Sequence, residues 1–572
     1  MDPKPLKTRH LPTLEHTWRQ LQESARLVTR AWYSGLMNET FFAVAKFLLE
    51  PQQRLLSSDP EQWQNHAMTQ SYLAGRESLA LHSNVSYLFE NTDQPITFIE
   101  RAAHLAVRAL KFAGEIARGT LSPEVESGYS LEQAQYPYFF GTSRLPGTDQ
   151  DSLFHVHGSR HFIVAIEGHF YRVELGEGEP STSELAATLS QIVTEHKNTE
   201  PTIGRLSALP RPIWTKHRQS LMESRVNATT LRSIDSGLFV LALDLEPSGP
   251  TRRERRDAMR QLVLGNLHNR WFDKSHQLIV MADGSAGINR DHSFLDGHPT
   301  LRYVQHLCSD PMAPIVNKGQ PLRFELLQWE ISSETDQALK SATDKLAAEV
   351  ASFTIDLWDH SDLSADIAKG AGLSADFLMQ AAIHLASKQI FGTPVNITEA
   401  VHMRHTKGGR YDSILTLTRE MHQVVTKFDS MTPSETVELL KAANEAHRAR
   451  IKACKQGQSP VLHLIALLGA DTKRGLFSVN GAGIYWGGRL KVLKAAWHDI
   501  TSCAVTTSHP GYRPGLESSG FTDTYPGVLG ISYLVKANQT TIYLKADHER
   551  QAQATIMRRE LDRALTRIRA IL

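Results

Sequence analysis

Cysteine is scarce in this chain, with three in 572 residues, and no two of them form a Cys-x-x-Cys pair. Because disulfide frameworks and zinc knuckles need closely spaced cysteines, the sequence predicts neither and favours a reducing compartment, with the cytoplasm as the expected location. His402 and His405 lie three residues apart, but no group of carboxylates accompanies them, and no His-Glu-x-x-His segment occurs. We therefore expect no metal centre and no bound cofactor.

An excess of charge of one sign and a long apolar run are also missing. The 62 Lys and Arg side chains nearly balance the 61 Asp and Glu side chains, which gives no basic field for nucleic acid. The sequence contains no run of ~18 apolar residues, so it predicts no membrane span. Residues 1–7 lack the apolar core of a signal peptide. A chain of 572 residues is too long for one core and is expected to form two or three domains.

Helical and extended patterns alternate along the chain. Apolar residues at helical spacing predict helices near residues 14–27, 99–118, 376–391, 434–457 and 549–572. Apolar and β-branched runs predict strands near residues 162–166, 169–173, 237–243, 269–274, 278–281, 322–331, 461–468, 528–535 and 540–545. Glu167-Gly168 is a hairpin signal, and Ser332 followed by Glu334 predicts a helix cap at a domain boundary. Mixed elements in both halves indicate an α/β fold with two layers.

One loop carries a candidate catalytic group. Residues 291–297 read Asp-His-Ser-Phe-Leu-Asp-Gly and follow an Asp-Gly turn at 283–284. Histidine has the ordinary pKa nearest neutrality, so His292 is a candidate general base, and Asp296 could fix its geometry or shape its field. In isolation, such a loop indicates a structural histidine more often than a catalytic one.

Several segments in the same order resemble the carnitine/choline acyltransferase family. They are Leu-Pro-x-Leu at 11–14, Tyr-Leu-Ala-Gly-Arg at 72–76, Thr-Ser-Arg-Leu-Pro-Gly at 142–147, Asn-Arg-Trp-Phe-Asp-Lys at 269–274 and the His292 loop. In that loop Asp291 replaces the Glu of the family. The resemblance covers nearly the whole chain, and independent motifs in the right order make it specific.

The resemblance implies an α/β fold of two chloramphenicol-acetyltransferase-like domains, with mixed sheets flanked by helices and an active-site tunnel at their interface. We expect residues 1–88 to be a helical segment packed on the C-terminal domain, 89–334 the catalytic-histidine domain, and 335–572 the C-terminal acyltransferase-like domain. His292 would deprotonate an alcohol, whose oxygen then attacks the thioester carbonyl without an acyl-enzyme.

The resemblance also implies the partners of His292. Thr-Thr-Ser at 506–508 matches the Ser-Thr-Ser motif of the family, so Ser508 would stabilise the oxyanion and Thr506 would contact the acceptor. Arg410 aligns with the Arg that pairs with the acid after the histidine, here Asp296. Tyr72 is expected at the acceptor site. In isolation, Thr-Thr-Ser reads as a polar strand end and Arg410 as a surface residue.

Three positions depart from the carnitine-binding pattern of the family. In the carnitine-using members a Tyr precedes a Glu, a Thr follows Gly-Arg, and an Arg precedes His-Leu-Leu. The residues at these three positions here are Thr398, Tyr411 and Leu462, in that order. A buried carboxylate needs a charged or bidentate partner, which Leu462 cannot supply. Leu462 also differs from the Asn of choline-using members. These three side chains are therefore expected to bind a neutral hydroxyl compound, neither carnitine nor choline.

The donor side departs as well. Leu-Ser-Ala-Asp at 373–376 matches a family segment. In the family, two lysines before that segment bind the 3′-phosphate of coenzyme A. Lys369 matches one of these lysines, and Ala365 stands at the position of the other. Lys369, Ser374 and Asp376 are the predicted donor contacts. Loss of half the phosphate clasp fits an acyl carrier protein, whose phosphopantetheine lacks that phosphate, and also fits a weaker CoA site.

The sequence thus predicts an O-acyltransferase that moves an acyl group from a phosphopantetheine thioester, on acyl carrier protein or CoA, to an alcohol. It resembles the chain-release domain of some fungal polyketide synthases or a free-standing relative, and a monomer is expected. The alternatives are a thioesterase that uses water, a carnitine/choline O-acyltransferase with an atypical acceptor pocket, and a non-catalytic descendant that binds a lipid or carrier.

Overall fold

The computed structural model describes residues 3–28, 39–59, 61–92, 94–196, 203–247, 254–265, 267–317, 319–469, 503–522 and 527–572. Within these ranges the chain forms two large mixed β-sheets flanked by helices, which confirms the predicted α/β class. Among the helices in these ranges, none combines the length and hydropathy that a bilayer crossing requires.

The helices of the described ranges are α1 (Leu14–Val28), α2 (Glu39–Ser57), α3 (Trp63–Ala74), α4 (Leu79–His82), α5 (Phe98–Ala117), α6 (Thr182–Glu195), α7 (Arg211–Leu221), α8 (Arg225–Ser236), α9 (Glu254–Val263), α10 (Gly297–Cys308), α11 (Ser333–Ser352), α12 (Ala365–Gly370), α13 (Ala375–Phe391), α14 (Arg419–Lys427), α15 (Pro433–Lys455), α16 (Pro460–Gly469) and α17 (Gln551–Ile571). The strands are β1 (Val85–Phe89), β2 (Val125–Glu126), β3 (Tyr129–Ser130), β4 (Thr142–Leu145), β5 (Ser152–His155), β6 (His161–Ile166), β7 (His169–Glu174), β8 (Val240–Asp244), β9 (His276–Met281), β10 (Ala286–Arg290), β11 (Phe324–Leu326), β12 (Thr354–His360), β13 (Ile397–His402), β14 (Tyr411–Leu415), β15 (Val505–Ser508), β16 (Leu516–Phe521), β17 (Leu529–Val535) and β18 (Thr540–Ala546).

The larger sheet has the strand order β11-β7-β6-β8-β9-β10-β1-β16 among the described residues. Its central strands β6, β8 and β9 are parallel neighbours. Alternate side chains of β8 enter different cores, Leu241 and Leu243 on one face and Val240 and Ala242 on the other. Both faces are therefore covered, as continuous apolar strands require.

The larger sheet contains the predicted hairpin and also a strand from the second half of the chain. The predicted hairpin joins β6 to β7, and Glu167 and Gly168 at its turn have φ values of 46° and 78°, as a two-residue primed turn requires. At the other edge β16, from the second half of the chain, pairs antiparallel with β1, with Phe521 opposite Val85. The two halves of the chain thus share one sheet.

The smaller sheet has the order β12-β18-β17-β15-β13-β14 within the described ranges. Strands β13, β15 and β17 run parallel in its middle. Helices α13 and α17 cover one of its faces, where Phe377, Met557 and Ile531 share a buried core. The opposite face carries the half-buried side chains of β13 and β15.

Three predicted strands differ from the structure. Residues 461–468 lie in α16, because a short apolar run has no period that separates a strand from a buried helix, and Pro460 suits a first helical position. Residues 269–274 follow the helical turn Leu267–Asn269 and end before β9, so they are not a strand. Of residues 322–331, only Phe324–Leu326 is extended in a ladder.

Candidate active site

His292 lies in the loop between β10 and α10, with 20% of its side-chain surface exposed. Its Nδ1 is 3.0 Å from the carbonyl oxygen of Leu295. Because a carbonyl only accepts, Nδ1 carries the proton and Nε2 keeps a lone pair. Burial, followed by the charge of Arg290, lowers the pKa of His292 to about 3, against the opposing effect of Asp296. The imidazole is therefore neutral at pH 7, as a general base must be.

Asp296 and Arg410 form a buried ion pair behind this loop. Arg410 Nη2 is 2.7 Å from Oδ1 of Asp296 and Nε is 3.1 Å from Oδ2, so the contact is bidentate. The same guanidinium donates to the carbonyl oxygens of Ser293 at 2.7 Å and His292 at 3.1 Å. Burial alone would raise the pKa of Asp296, but Arg410 outweighs it and the net pKa is lowered. An ionised carboxylate thus stands 3.8 Å from Nδ1 of His292.

The residues on either side of His292 are also held in place. Arg144 on β4 donates through Nη1 to Ser293 Oγ at 2.8 Å and through Nε to Asp151 at 2.7 Å. Asp291 accepts from the backbone N–H of Ser293 at 3.1 Å and from its hydroxyl at 2.9 Å. The Asp291 carboxylate, which is one methylene shorter than the Glu of the family, therefore forms these hydrogen bonds within its own loop.

The Asn-Arg-Trp-Phe-Asp-Lys segment supplies buried supports. Arg270 binds Asp244 bidentately at 2.8 and 2.6 Å, and Asp273 accepts from Arg211 at 2.7 Å. All four side chains are buried, and buried charges persist when they are paired and hydrogen-bonded. The segment thus forms a buried support, held by ion pairs, next to the β9–β10 hairpin that leads to His292.

Two tyrosines contact the imidazole of His292. The ring centroids of Tyr72 on α3 and Tyr411 on β14 lie 5.0 and 5.5 Å from that of the imidazole. The two tyrosine hydroxyl oxygens are 2.6 Å apart. Leu462 on α16 lies in the apolar cluster against which both tyrosines pack. The fold therefore brings Tyr72 and Tyr411 beside His292, and Leu462 belongs to the apolar cluster that these two tyrosines contact.

The smaller sheet presents a row of hydroxyl groups on its half-buried face. Buried and half-buried residues alternate along β13 and β15, and Thr398, Thr506 and Ser508 belong to the half-buried set. Thr398 and Thr506 are neighbours in register, while Tyr411 stands opposite His402 at the other end of β13. At ~3.3 Å per residue, Thr398 and Tyr411 lie about 13 Å apart along the sheet, with Ser508 between their levels.

The predicted donor residues lie on α12 and at the start of α13. Lys369 and Ala365 are both exposed on α12, one helical turn apart, so they share a face. Ser374 caps α13 by accepting from a backbone N–H. Asp376 stands in the first turn of the same helix, where a negative charge is favourable. Lys369 thus faces solvent, whereas Ser374 is engaged within the protein.

Asp376, Glu399 and His447 form a group of metal-ligand-type side chains in the part of the chain that the structure describes. Asp376 already accepts from the hydroxyl of Tyr533 at 2.7 Å and from Nε2 of His447 at 3.1 Å. Each carboxylate oxygen of Asp376 thus already accepts one hydrogen bond from a neighbouring side chain.

Two contacts of the histidine loop were missed by sequence reasoning. The carbonyl of Leu295 fixes the tautomer of His292, and a backbone acceptor leaves no mark in a sequence. Gln135 binds Asp296 twice, through Nε2 to Oδ2 at 2.8 Å and through Oε1 to the backbone N–H at 2.8 Å. Gln135 lies 161 positions away and belongs to no motif, so only folding reveals it.

Comparison with known proteins gives a consistent result. The sequence model described as "Choline/Carnitine o-acyltransferase" matches residues 10–563. Carnitine O-palmitoyltransferase 2, mitochondrial, of Macaca fascicularis is 26% identical over 517 residues, which are 82% of this chain and 76% of that protein. Carnitine O-acetyltransferase of Mus musculus is 27% identical over 423 residues, 69% of this chain and 67% of that protein. Among solved structures, TRI3 trichothecene 15-O-acetyltransferase from Fusarium sporotrichioides superposes with a TM-score of 0.41 at 12% identity, covering 88% of this chain and 94% of that one.

Proposed function

This chain belongs to the choline/carnitine O-acyltransferase family, and from that premise we propose that it transfers an acyl group from a phosphopantetheine thioester to a neutral alcohol. The observation that carries the proposal is the state of His292. Its Nδ1–H is bound to the carbonyl of Leu295, and its pKa is lowered to about 3. Nε2 is therefore a free base at physiological pH.

In the proposed reaction, Nε2 of His292 takes the proton of the acceptor hydroxyl. The alcohol oxygen bonds to the thioester carbonyl carbon, and the carbonyl oxygen becomes an oxyanion that accepts from the Ser508 hydroxyl. The C–S bond then breaks, and the leaving thiolate takes the proton from the imidazolium. Asp296, 3.8 Å from Nδ1, favours the transient positive charge.

The acceptor is proposed to be neutral because Leu462 stands at the position where the sequence resemblance places the arginine for a carboxylate. Leu462 is 3% exposed and packs in an apolar cluster. Arg9 lies in the same region, but its guanidinium pairs with Asp412 at 2.5 Å, and Asp412 also accepts from the backbone N–H of Leu462 at 3.2 Å. Tyr411 adds a bulky ring next to His292. An acceptor bound here would meet hydroxyl groups and apolar surface.

The donor is proposed to be an acyl carrier protein, or else CoA held weakly. Ala365 and Lys369 share the exposed face of α12, where a second lysine would complete a phosphate clasp. A phosphate bound by one exposed Lys is held mainly through a screened charge. Release of a polyketide chain onto an alcohol is the corresponding proposed role, carried out by a cytoplasmic monomer.

A matrix of donors and acceptors tests the proposal. Acyl-CoA and acyl-carrier protein are each offered with carnitine, choline or a panel of neutral polyols, and products are identified by mass spectrometry. We expect esters of a neutral alcohol. Transfer to carnitine at a comparable rate would contradict the acceptor assignment. Free acid at the same rate whether or not an alcohol is present would indicate a thioesterase.

The variant His292→Ala tests whether His292 is the general base of the reaction. It is expected to abolish transfer while its far-ultraviolet circular dichroism and melting temperature stay close to wild type, because the side chain is partly exposed and carries no ion pair at neutral pH. Turnover near the wild-type rate would refute the general-base role.

A further inference from the structure

A buried hydrogen-bond network lies behind the smaller sheet, on the side opposite the hydroxyl row. Gln380 on α13 is fully buried, and its Nε2 donates to Thr507 Oγ1 at 2.8 Å and to the hydroxyl of Tyr533 at 2.9 Å. Thr507 in turn donates to the backbone carbonyl of Thr398 at 2.8 Å. Tyr533 donates to Asp376 at 2.7 Å. The network therefore runs from a carboxylate to strand β15.

The carboxylate sets the direction of every bond in this network. Asp376 accepts from Tyr533 and from His447, so it is ionised, and its pKa is lowered although burial opposes this. Burial and the neighbouring Asp376 raise the pKa of Glu399 well above its usual value, so Glu399 keeps its proton. The half-buried Asp376 and the buried Glu399 thus hold one charge between them.

With Asp376 as the anion, the other protons have one consistent arrangement. The hydroxyl proton of Tyr533 points at Asp376, so the Tyr533 oxygen accepts from Gln380. An amide nitrogen has two N–H bonds, and the second one of Gln380 is directed at Thr507. The Thr507 hydroxyl accepts that bond and donates to Thr398. A chain of oriented donors is more rigid than separate bonds.

We propose that Gln380 and Asp376 are positioning residues that hold β15 so that Ser508 is presented to the oxyanion. Thr507 lies between Thr506 and Ser508, and its back-face hydroxyl is clamped by Gln380 and by β13. Because successive side chains of a strand point to opposite faces, clamping Thr507 orients Ser508 on the front face. The inference rests on the proposed function, since it takes Ser508 as the oxyanion donor.

The size of the expected effect follows from the demands of catalysis. A catalytic donor must be held within about 0.5 Å of its productive place, and loss of an oxyanion donor costs about 10²–10³ in kcat. A displaced donor retains part of its effect. Gln380→Leu and Thr507→Val are therefore each expected to lower kcat about tenfold, with both KM values unchanged, since an interaction with the transition state is weakened.

Thr416→Val is the matched control. Thr416 is also fully buried; its hydroxyl is 2.9 Å from Nε2 of His384 on α13, and it donates to the backbone carbonyl of Ile397 at 3.3 Å. It thus has the same kind of bonds as Thr507 but lies outside β15. We expect Thr416→Val to lower the melting temperature as much as Thr507→Val does and to leave kcat at the wild-type value.

The double variant Gln380→Leu/Thr507→Val provides the second test. Both changes break the same link, so we expect it to lose about as much kcat as either single variant, whereas independent roles would multiply the losses. Equal melting-temperature losses with unchanged kcat in all variants would overturn the proposal. A raised donor KM with unchanged kcat would also overturn it and would assign this region to donor binding.

A crystal structure of Gln380→Leu gives a readout that does not depend on activity. We expect the Ser508 hydroxyl to move or change rotamer in Gln380→Leu and to stay in place in Thr416→Val. An unmoved Ser508 would overturn the inference. Failure of the proposed function would be seen differently, as absence of wild-type turnover with every donor and acceptor.

Discussion

Removal of Arg410 is expected to damage both stability and catalysis. Arg410 and Asp296 have side-chain exposures of 2% and 5%, and their contact is bidentate. Arg410→Ala leaves Asp296 as a buried charge with Gln135 as its remaining side-chain partner. Breaking a buried pair in this way costs about 3–5 kcal/mol of unfolding free energy. The carbonyls of His292 and Ser293 also lose their donors.

The pH dependence of this loss has a definite sign. The pKa of Asp296 is lowered in the folded wild type, so the stability it contributes is present above its unfolded pKa and is lost as pH falls through the folded value. In Arg410→Ala, burial is no longer opposed, and Asp296 can take up a proton in mild acid. The stability difference between wild type and variant should therefore be largest at pH 7 and smaller near pH 4.5.

Urea unfolding at both pH values measures the stability change, and single-turnover transfer measures the activity. A shift of the histidine loop by about 1 Å is expected to lower kcat about 10²-fold. Lys407→Ala is the matched control in the same segment. Its pair with Glu61 at 2.9 Å is 47% and 46% exposed, so it should cost less than about 1 kcal/mol. A cost for Arg410→Ala no larger than that of Lys407→Ala would refute the reasoning.

Three further predictions concern the base and the two substrates. Because the pKa of His292 is lowered to about 3, kcat/KM should stay constant from pH 8 down to about 5; a fall centred on the usual histidine pKa, near 6.5, would contradict this. Ala365→Lys adds a positive charge beside Lys369 on an exposed helix face. It should lower the KM for acyl-CoA in a salt-dependent way and leave the KM for acyl-carrier protein unchanged. Equal changes in KM for both donors would count against a phosphate contact. Leu462→Arg combined with Tyr411→Thr should yield measurable transfer to carnitine, because it supplies a cation and frees space beside His292; an unchanged acceptor profile in a folded double variant would show that other residues select the acceptor.

Family and fold class could be predicted from the sequence because they depend on local strings and patterns. The His292 loop and the segment at 142–147 keep family residues at family spacing, and the family match over residues 10–563 confirms the resemblance. The Asp296–Arg410 contact was also predicted from aligned motifs, and the two side chains do meet at 2.7 Å. Patterning failed for residues 461–468, which form α16, because a fully buried apolar run looks the same in a helix and in a strand.

The sequence by itself determined which candidate reactive groups this protein contains. They are His292, Asp296 with Arg410, and the hydroxyl groups of residues 506–508. The sequence also determined that the apolar Leu462 stands where the resemblance places an arginine. Only the tertiary structure decided the tautomer of His292 through Leu295, the contact of Tyr411 with the imidazole, and the link from Asp376 through Gln380 to β15. The physical reason is that these depend on backbone carbonyls and on contacts between distant segments. Hydrogen-bond direction and burial follow from the packed chain, and neither has a local signature.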